Sequence, residues 1–89
     1  MNNENIDDEI ISVNFASMAF QDIQNYSIPC KVTDKFTKLE ERLLIDYPRL
    51  RKHELIFEIN GQKIQKNKTL KENNIKQNSI INVSTVKYN

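Results

Sequence analysis

Residues 55–64 read LIFEINGQKI, and this stretch carries the clearest structural signal in the chain. Large apolar residues at positions 55, 57 and 59 alternate with Ile56 and Glu58, which is typical of a β-strand with one buried face. The pair Asn60-Gly61 that follows favours a hairpin turn. A short partner strand is therefore expected at residues 62–64.

Three further strands are predicted outward from this hairpin. Downstream, a Lys-rich loop that contains Leu70 and Ile75 leads to a last strand over residues 80–86. Upstream, alternation over residues 11–16 and 26–31 predicts two more strands, with a turn or a longer loop over residues 19–22. Because Pro29 has no N–H for a ladder hydrogen bond, its strand is expected at a sheet edge.

One amphipathic helix is predicted between the second and third strands. Phe36, Leu39 and Leu43 recur at helical spacing, with Thr33 or Asp34 as the N-cap and charged residues between the apolar positions. Tyr47-Pro48 ends the helix, since the residue before a proline is disfavoured in the α region. Acidic helix residues such as Glu40 are expected to be exposed, in water or paired within the helix.

The predicted order, β-β-α-β-β-β, indicates an α+β fold in which one helix covers a mixed sheet of four to five strands. The predicted core consists of Val13, Phe15, Ile28, Cys30, Phe36, Leu39, Leu43, Phe57, Ile59, Ile64, Leu70, Ile75, Ile81 and Val83. On this prediction Cys30 is a small buried side chain of low reactivity.

Length and composition limit the organisation of the chain. Its 89 residues allow one domain, expected over residues 10–89, after a flexible acidic leader at residues 1–9 that has little to bury. The chain is 38% hydrophobic with a net charge of +1. Abundant Asn, Ile and Lys indicate an AT-rich genome, and we interpret residues such as Asn73, Asn74 and Asn78 as composition bias.

The same composition argues against several function classes. One cysteine and one histidine exclude an internal disulfide and most zinc sites, and a single glycine excludes Gly-rich phosphate loops. No nucleophile–base pair is recognisable, so we expect neither an enzyme nor a cofactor. Without a membrane-length apolar segment or a signal peptide, the expected location is cytoplasmic or nuclear.

The segments NGQKI at residues 60–64, TLKENNI at residues 69–75 and INV at residues 81–83 resemble the pattern of ubiquitin-like domains. The similarity covers about residues 11–84 and includes the three buried positions of the helix. It implies a ubiquitin-like β-grasp roll, a fold that carries modifiers, adaptors and small-GTPase binders.

The resemblance also implies two functional differences. Ubiquitin-like modifiers need a C-terminal Gly-Gly, whereas this sequence ends VKYN, so conjugation to targets is not expected. Ubiquitin receptors contact an aliphatic patch on the sheet, where this chain has Glu58 at the central position and Asn82 and Ser84 beside it. Such receptors should be rejected, because burying an unpaired carboxylate is costly.

We therefore expect a non-catalytic, monomeric protein-interaction module or adaptor domain that forms the N-terminal part of a larger protein. Binding should be polar and salt-sensitive. The expected partner-binding residues are Ile56, Glu58, Lys63, Lys66, Lys68, Lys71, Lys76, Ile80, Asn82 and Ser84. The partner is expected to be a protein of unknown identity, because aromatic residues that would stack on nucleic-acid bases are not interleaved with the lysines.

Two alternatives remain open. One is a modifier whose Gly-Gly is not represented in this sequence. The other is a Ras-association-type binder, for which the resemblance would require cations on the second strand and at the helix start, where Lys31, Lys35 and Lys38 are available.

Overall fold

The computed structural model describes residues 9–86, so residues 1–8 of the predicted leader (residues 1–9) and the chain end after Val86 lie outside the described residues. The elements are β1 (Ile11–Ala16), β2 (Tyr26–Cys30), α1 (Phe36–Asp46), a 3₁₀ helix (Pro48–Lys52), β3 (Leu55–Ile59), β4 (Gln62–Lys63) and β5 (Ile80–Thr85). The predicted order is confirmed, with the 3₁₀ helix as an addition.

The five strands form one mixed sheet in the order β2-β1-β5-β3-β4. β1 and β5 are parallel at the centre, and the other neighbouring pairs are antiparallel. The turn between β3 and β4 is made by Asn60 and Gly61, both at positive φ (51° and 79°), as the Asn-Gly pair predicts. The α+β class and the single helix on a mixed sheet are confirmed.

Pro29 lies on the edge strand β2, as expected from its missing N–H. Its partner in β1 is Ser12, whose N–H donates to Gln77 and whose carbonyl accepts from Asn78. The backbone groups of Ser12 therefore point away from β2, and the nitrogen of Pro29 faces the free edge, where no ladder bond is lost. This proline also removes a donor that another strand would need to pair with the edge.

The core lies between α1 and the inner face of the sheet. All the predicted core residues are buried, and Phe15, Phe36 and Phe57 meet at its centre, with ring centroids 4.9–6.3 Å apart. The prediction omitted Ile23, Leu50 and Leu55, which are also buried. Ile23 lies in the loop after β1 and Leu50 in the 3₁₀ helix, where neither a strand nor a helix periodicity could reveal them.

The predicted N-cap of the helix is wrong. Lys35 occupies the N-cap position without a side-chain hydrogen bond, and the backbone N–H of Phe36 donates instead to the carbonyl of Lys68 at 2.9 Å. Asp34 accepts from the N–H of Lys31 at 2.8 Å and so closes the turn before the helix. The helix start is thus completed by the β4–β5 loop, a long-range contact that sequence spacing does not show.

The β4–β5 loop is ordered by short-range polar contacts. Thr69 and Glu72 form a reciprocal capping box, with backbone-to-side-chain bonds of 2.9 and 3.1 Å. The Asn73 side chain accepts from the N–H of Gln65 and donates to its carbonyl. Asn74 and Asn78 have positive φ values of 58° and 64°, which asparagine tolerates better than most residues. Asn73, Asn74 and Asn78 therefore have local structural roles, which the sequence interpretation did not include.

Candidate interaction surfaces

The outer face of the sheet, opposite the helix, carries six of the predicted partner-binding residues. Strand register places one row of side chains across four strands: Lys63 is opposite Glu58, Glu58 is opposite Asn82, and Asn82 is opposite Ala16. Residues that are directly opposite share a face, because side chains alternate along each strand. A carboxylate therefore occupies the centre of this face.

Two isoleucines flank this polar row. Ile80 lies opposite Asn14 and is 62% exposed, whereas Ile56 lies opposite Ser84 and is half-buried. Of the two predicted apolar binding residues, Ile80 is therefore well exposed, whereas Ile56 is partly shielded. The outer face, defined here by Ile56, Glu58, Lys63, Ile80, Asn82 and Ser84, presents one exposed apolar side chain beside a band of polar groups.

The half-buried Glu58 side chain forms no ion pair with residues 9–86. A strongly apolar partner at this position would have to desolvate that carboxylate without offering a compensating charge. A partner with a donor group or a cation above Glu58 would avoid this cost. The face is thus suited to a polar ligand surface with room for one apolar contact at Ile80.

The remaining predicted binding residues do not lie on the outer face. The Lys66 ammonium donates to Glu40 at 3.0 Å and to the carbonyl of Leu55 at 3.2 Å, and it lies 5.2 Å from the Phe57 ring centroid. The Glu40 side chain is only 19% exposed, so the expectation that it lies on an exposed helix face is wrong. Lys66 links the loop to the helix and to β3.

Lys68, Lys71 and Lys76 are carried by the β4–β5 loop to the end of the molecule where α1 starts. Backbone hydrogen bonds of 2.9 Å join Lys68 to Phe36 and Lys71 to Val32, and the loop after Lys76 bonds to Ser12 at the start of β1. The five lysines between Lys63 and Lys76 that are expected to bind the partner therefore lie in three different places.

A shallow groove of about 260 Å³ separates the edge strand β2 from α1. Its floor includes Ile28, Cys30 and Leu39, and Ile45 on its rim is 61% exposed. Burial, followed by the charge of Asp34, raises the pKa of the Cys30 thiol to about 11. The thiol is therefore protonated at neutral pH, which agrees with the predicted core role.

Residues 9–86 contain no group of three or more His, Cys, Asp or Glu side chains placed to hold a metal ion. Over the same residues, no helix has the length and apolar character needed to cross a membrane.

Comparison with known proteins agrees with this architecture. No family model matches the chain, and no curated protein matches it. A solved structure described as a de novo design based on ubiquitin superposes with a TM-score of 0.72 at 16% identity, covering 90% of this chain and 93% of the other. At that identity the similarity is evidence of fold alone. The chain therefore has the ubiquitin-like β-grasp fold.

Proposed function

We propose that this chain is a non-catalytic protein-interaction module that binds its partner through the outer face of the sheet. The observation that supports this proposal best is the row formed by Lys63, Glu58 and Asn82, next to the exposed Ile80. An exposed apolar anchor surrounded by polar groups is a common arrangement in protein interfaces.

Charge makes this recognition selective. Glu58 disfavours the apolar surfaces that ubiquitin receptors present, while Lys63 offers a cation on the neighbouring strand. Affinity is expected to be modest, because exposed charge pairs contribute little each, and to weaken as salt rises. The module acts as an adaptor, without conjugation to targets.

The test compares the proteins that each immobilised form of the chain retains from a lysate of its source cells. The face variant Lys63→Glu/Ile80→Glu is matched with Lys52→Glu/Ile45→Glu, which makes the same two exchanges at exposed positions away from the outer face. A partner retained by the wild type and the matched variant, but lost with the face variant, is the expected result. Equal retention by both variants would contradict the proposal.

A second candidate, a Ras-association-type binder, is favoured by one observation. Lys68 is bonded through the backbone to Phe36 at the helix start and Lys71 to Val32 just before it, and so they add cations to those of Lys31 and Lys35. Titration with a GTP-loaded small GTPase tests this candidate. Shifts of backbone amides over residues 26–38 would support it over the outer-face proposal, and shifts confined to the outer face would exclude it.

A further inference from the structure

Six lysines lie around the start of α1, at what we call the basic end. They come from two segments that are far apart in sequence, residues 31–38 and 68–76, and they are Lys31, Lys35, Lys38, Lys68, Lys71 and Lys76. The first is half-buried and the other five are exposed. The carboxylates in the same two segments are Asp34 and Glu72, so cations are in excess here although the whole chain has a net charge of only +1.

Backbone contacts hold the two segments together. Lys35 forms a bridge with Thr69, and the N–H of Phe36 donates to the carbonyl of Lys68 at 2.9 Å. The hydrogen bonds from Thr69 lower the pKa of Glu72 most, and the charges of Lys68 and Lys35 lower it further. Both ammonium groups therefore lie near the same carboxylate, although they are far apart in sequence.

The lysines of the basic end differ from the arginines of the chain in their partners. Lys38 is paired with Asp34 at 3.3 Å, but the ammonium groups of Lys35, Lys68 and Lys76 make no ion pair with residues 9–86. Each of the three arginines, by contrast, is paired with a carboxylate elsewhere in the fold. The basic end therefore has positive charge that is available to a ligand.

An exposed aliphatic side chain lies between the two lysine segments. Ile10 is 64% exposed just before β1, whose first residue pairs with the last residue of β2, next to Lys31. On the other side of β1, the carbonyl of Ser12 accepts from the N–H of Asn78 at 2.7 Å, two residues after Lys76. A large apolar side chain is thus placed among the cations.

The chemistry of this end favours a surface of distributed negative charge. A lysine ammonium is a compact charge that does not select a planar, bidentate group as arginine does. The aromatic residue in these two segments, Phe36, is fully buried, so no ring is available to stack on nucleic-acid bases. One isoleucine is little apolar area for the core of a protein interface, but it suits the boundary between lipid headgroups and acyl chains.

We propose that the basic end docks on the surface of a membrane rich in anionic phospholipid, with Ile10 inserted between the headgroups. Lysines within a Debye length of such a surface are attracted to it, and their aliphatic stems can lie along it. The acidic residues that precede Ile10 in the sequence, Glu4, Asp7, Asp8 and Glu9, oppose this attraction, so docking requires a high density of anionic lipid. The outer face is a different surface, so this docking goes beyond the proposed function and does not depend on it.

Co-sedimentation of the full chain with lipid vesicles tests this docking. At low salt, the chain should bind vesicles of phosphatidylcholine with about 40% phosphatidylserine, and it should not bind vesicles of phosphatidylcholine alone. Raising the salt to about 0.5 M should release the chain, because the Debye length falls to about 4 Å. Equal binding to both kinds of vesicle, or binding to neither, would overturn the proposal.

Charge reversals locate the contact on the molecule. Lys35→Glu/Lys68→Glu should weaken vesicle binding by about 30-fold or more, since each lysine near the surface contributes a factor of about five. Arg51→Glu/Lys52→Glu makes the same change in net charge at the 3₁₀ helix, beyond the other end of α1, and should weaken binding by less than about three-fold. The same loss in both variants would show that net charge alone matters, and would contradict docking through the basic end.

Two isoleucine variants test the insertion of Ile10. Ile10→Ser should weaken vesicle binding by about ten-fold, because the apolar side chain no longer leaves water. Ile45→Ser changes an isoleucine of similar exposure, 61%, in the second half of α1 and should leave binding unchanged. Equal effects of the two substitutions would rule out Ile10 as the inserted residue.

An NMR titration separates a lipid surface from other anionic ligands. Vesicles with phosphatidylserine should broaden the backbone amide signals of Lys35, Lys68 and Lys71, whereas the soluble headgroup glycerophosphoserine at the same concentration should shift them little. Equal effects of the soluble headgroup would assign the basic end to a free anion and overturn the proposal. Binding of a GTP-loaded small GTPase by these lysines, without any binding to vesicles, would overturn it in favour of the Ras-association candidate.

Discussion

Lys66 shows how one residue can differ from the role that its sequence neighbours suggest. In the sequence it is one of several lysines in a loop, but in the structure its ammonium is bonded to Glu40 and to the Leu55 carbonyl. Its partner Glu40 lies 26 positions away, a separation at which no local pattern relates the two residues. Sequence reasoning therefore could not distinguish this lysine from Lys68.

Replacing Lys66 should destabilise the fold more than replacing Lys68. Lys66→Ala leaves the largely shielded Glu40 carboxylate and the Leu55 carbonyl without their donor. We expect this to lower the free energy of unfolding by about 1–3 kcal/mol. Lys68→Ala removes an exposed side chain and should change stability by less than about 0.5 kcal/mol. Urea unfolding of both variants measures the difference. Equal stabilities would show that the Lys66 contacts contribute nothing measurable.

Glu72 gives a prediction about pH. The backbone N–H of Thr69, and then its hydroxyl, donate to the Glu72 carboxylate and lower its pKa below the usual 4.5. Because the folded pKa is the lower one, this group stabilises the fold above pH 4.5, and the contribution disappears as pH falls through the folded pKa.

An NMR titration of the Glu72 carboxyl carbon checks this shift directly. Thr69→Ala removes the hydroxyl donor while the backbone donor remains, so the pKa should rise part of the way towards 4.5. Thr37→Ala, in α1, serves as a matched threonine control and should leave the pKa of Glu72 where it is. An identical titration curve in the Thr69 variant would argue against the capping box.

At the scale of elements, the sequence predicts those helices, strands and turns that have a local residue pattern. Strands, helix and the Asn60-Gly61 turn follow from alternation, helical spacing and turn preference. The helix start at Phe36 is completed by the carbonyl of Lys68 in a distant loop, and the short 3₁₀ helix at Pro48–Lys52 buries only Leu50, so neither follows from local periodicity. The positions of the basic loop residues were unpredictable for the same reason, because tertiary hydrogen bonds set them.

The helix contributes to stability through one face, which a pair of neighbouring substitutions can test. Leu43 is fully buried, so Leu43→Ala should lower the free energy of unfolding by about 2–5 kcal/mol. A loss of this size would bring so small a domain close to unfolding. Ile45 is 61% exposed on the same helix, and Ile45→Ala should cost far less. Denaturation midpoints provide the comparison. A midpoint that Leu43→Ala leaves unchanged would contradict the packing of α1 on the sheet.

At the scale of the whole molecule, the β-grasp fold separates two surfaces of different character. The outer face has a carboxylate at its centre and one exposed isoleucine, and the basic end gathers lysines from two segments. The residues of the outer face could be predicted from the sequence, because strand alternation and the resemblance to ubiquitin-like domains place Glu58, Asn82 and Ser84 together. The basic end could not, since it forms only when the loop docks on the helix start.

The central claim is that the polar outer face selects partners other than ubiquitin receptors. Titrating the ¹⁵N-labelled chain with a ubiquitin-binding helix, at low and at moderate salt, tests this claim most directly. We predict no shifts centred on Glu58 in the wild type, and the appearance of shifts there in Glu58→Ile, which removes the desolvation cost. Chemical shift changes centred on Glu58 in the wild-type chain would contradict the account.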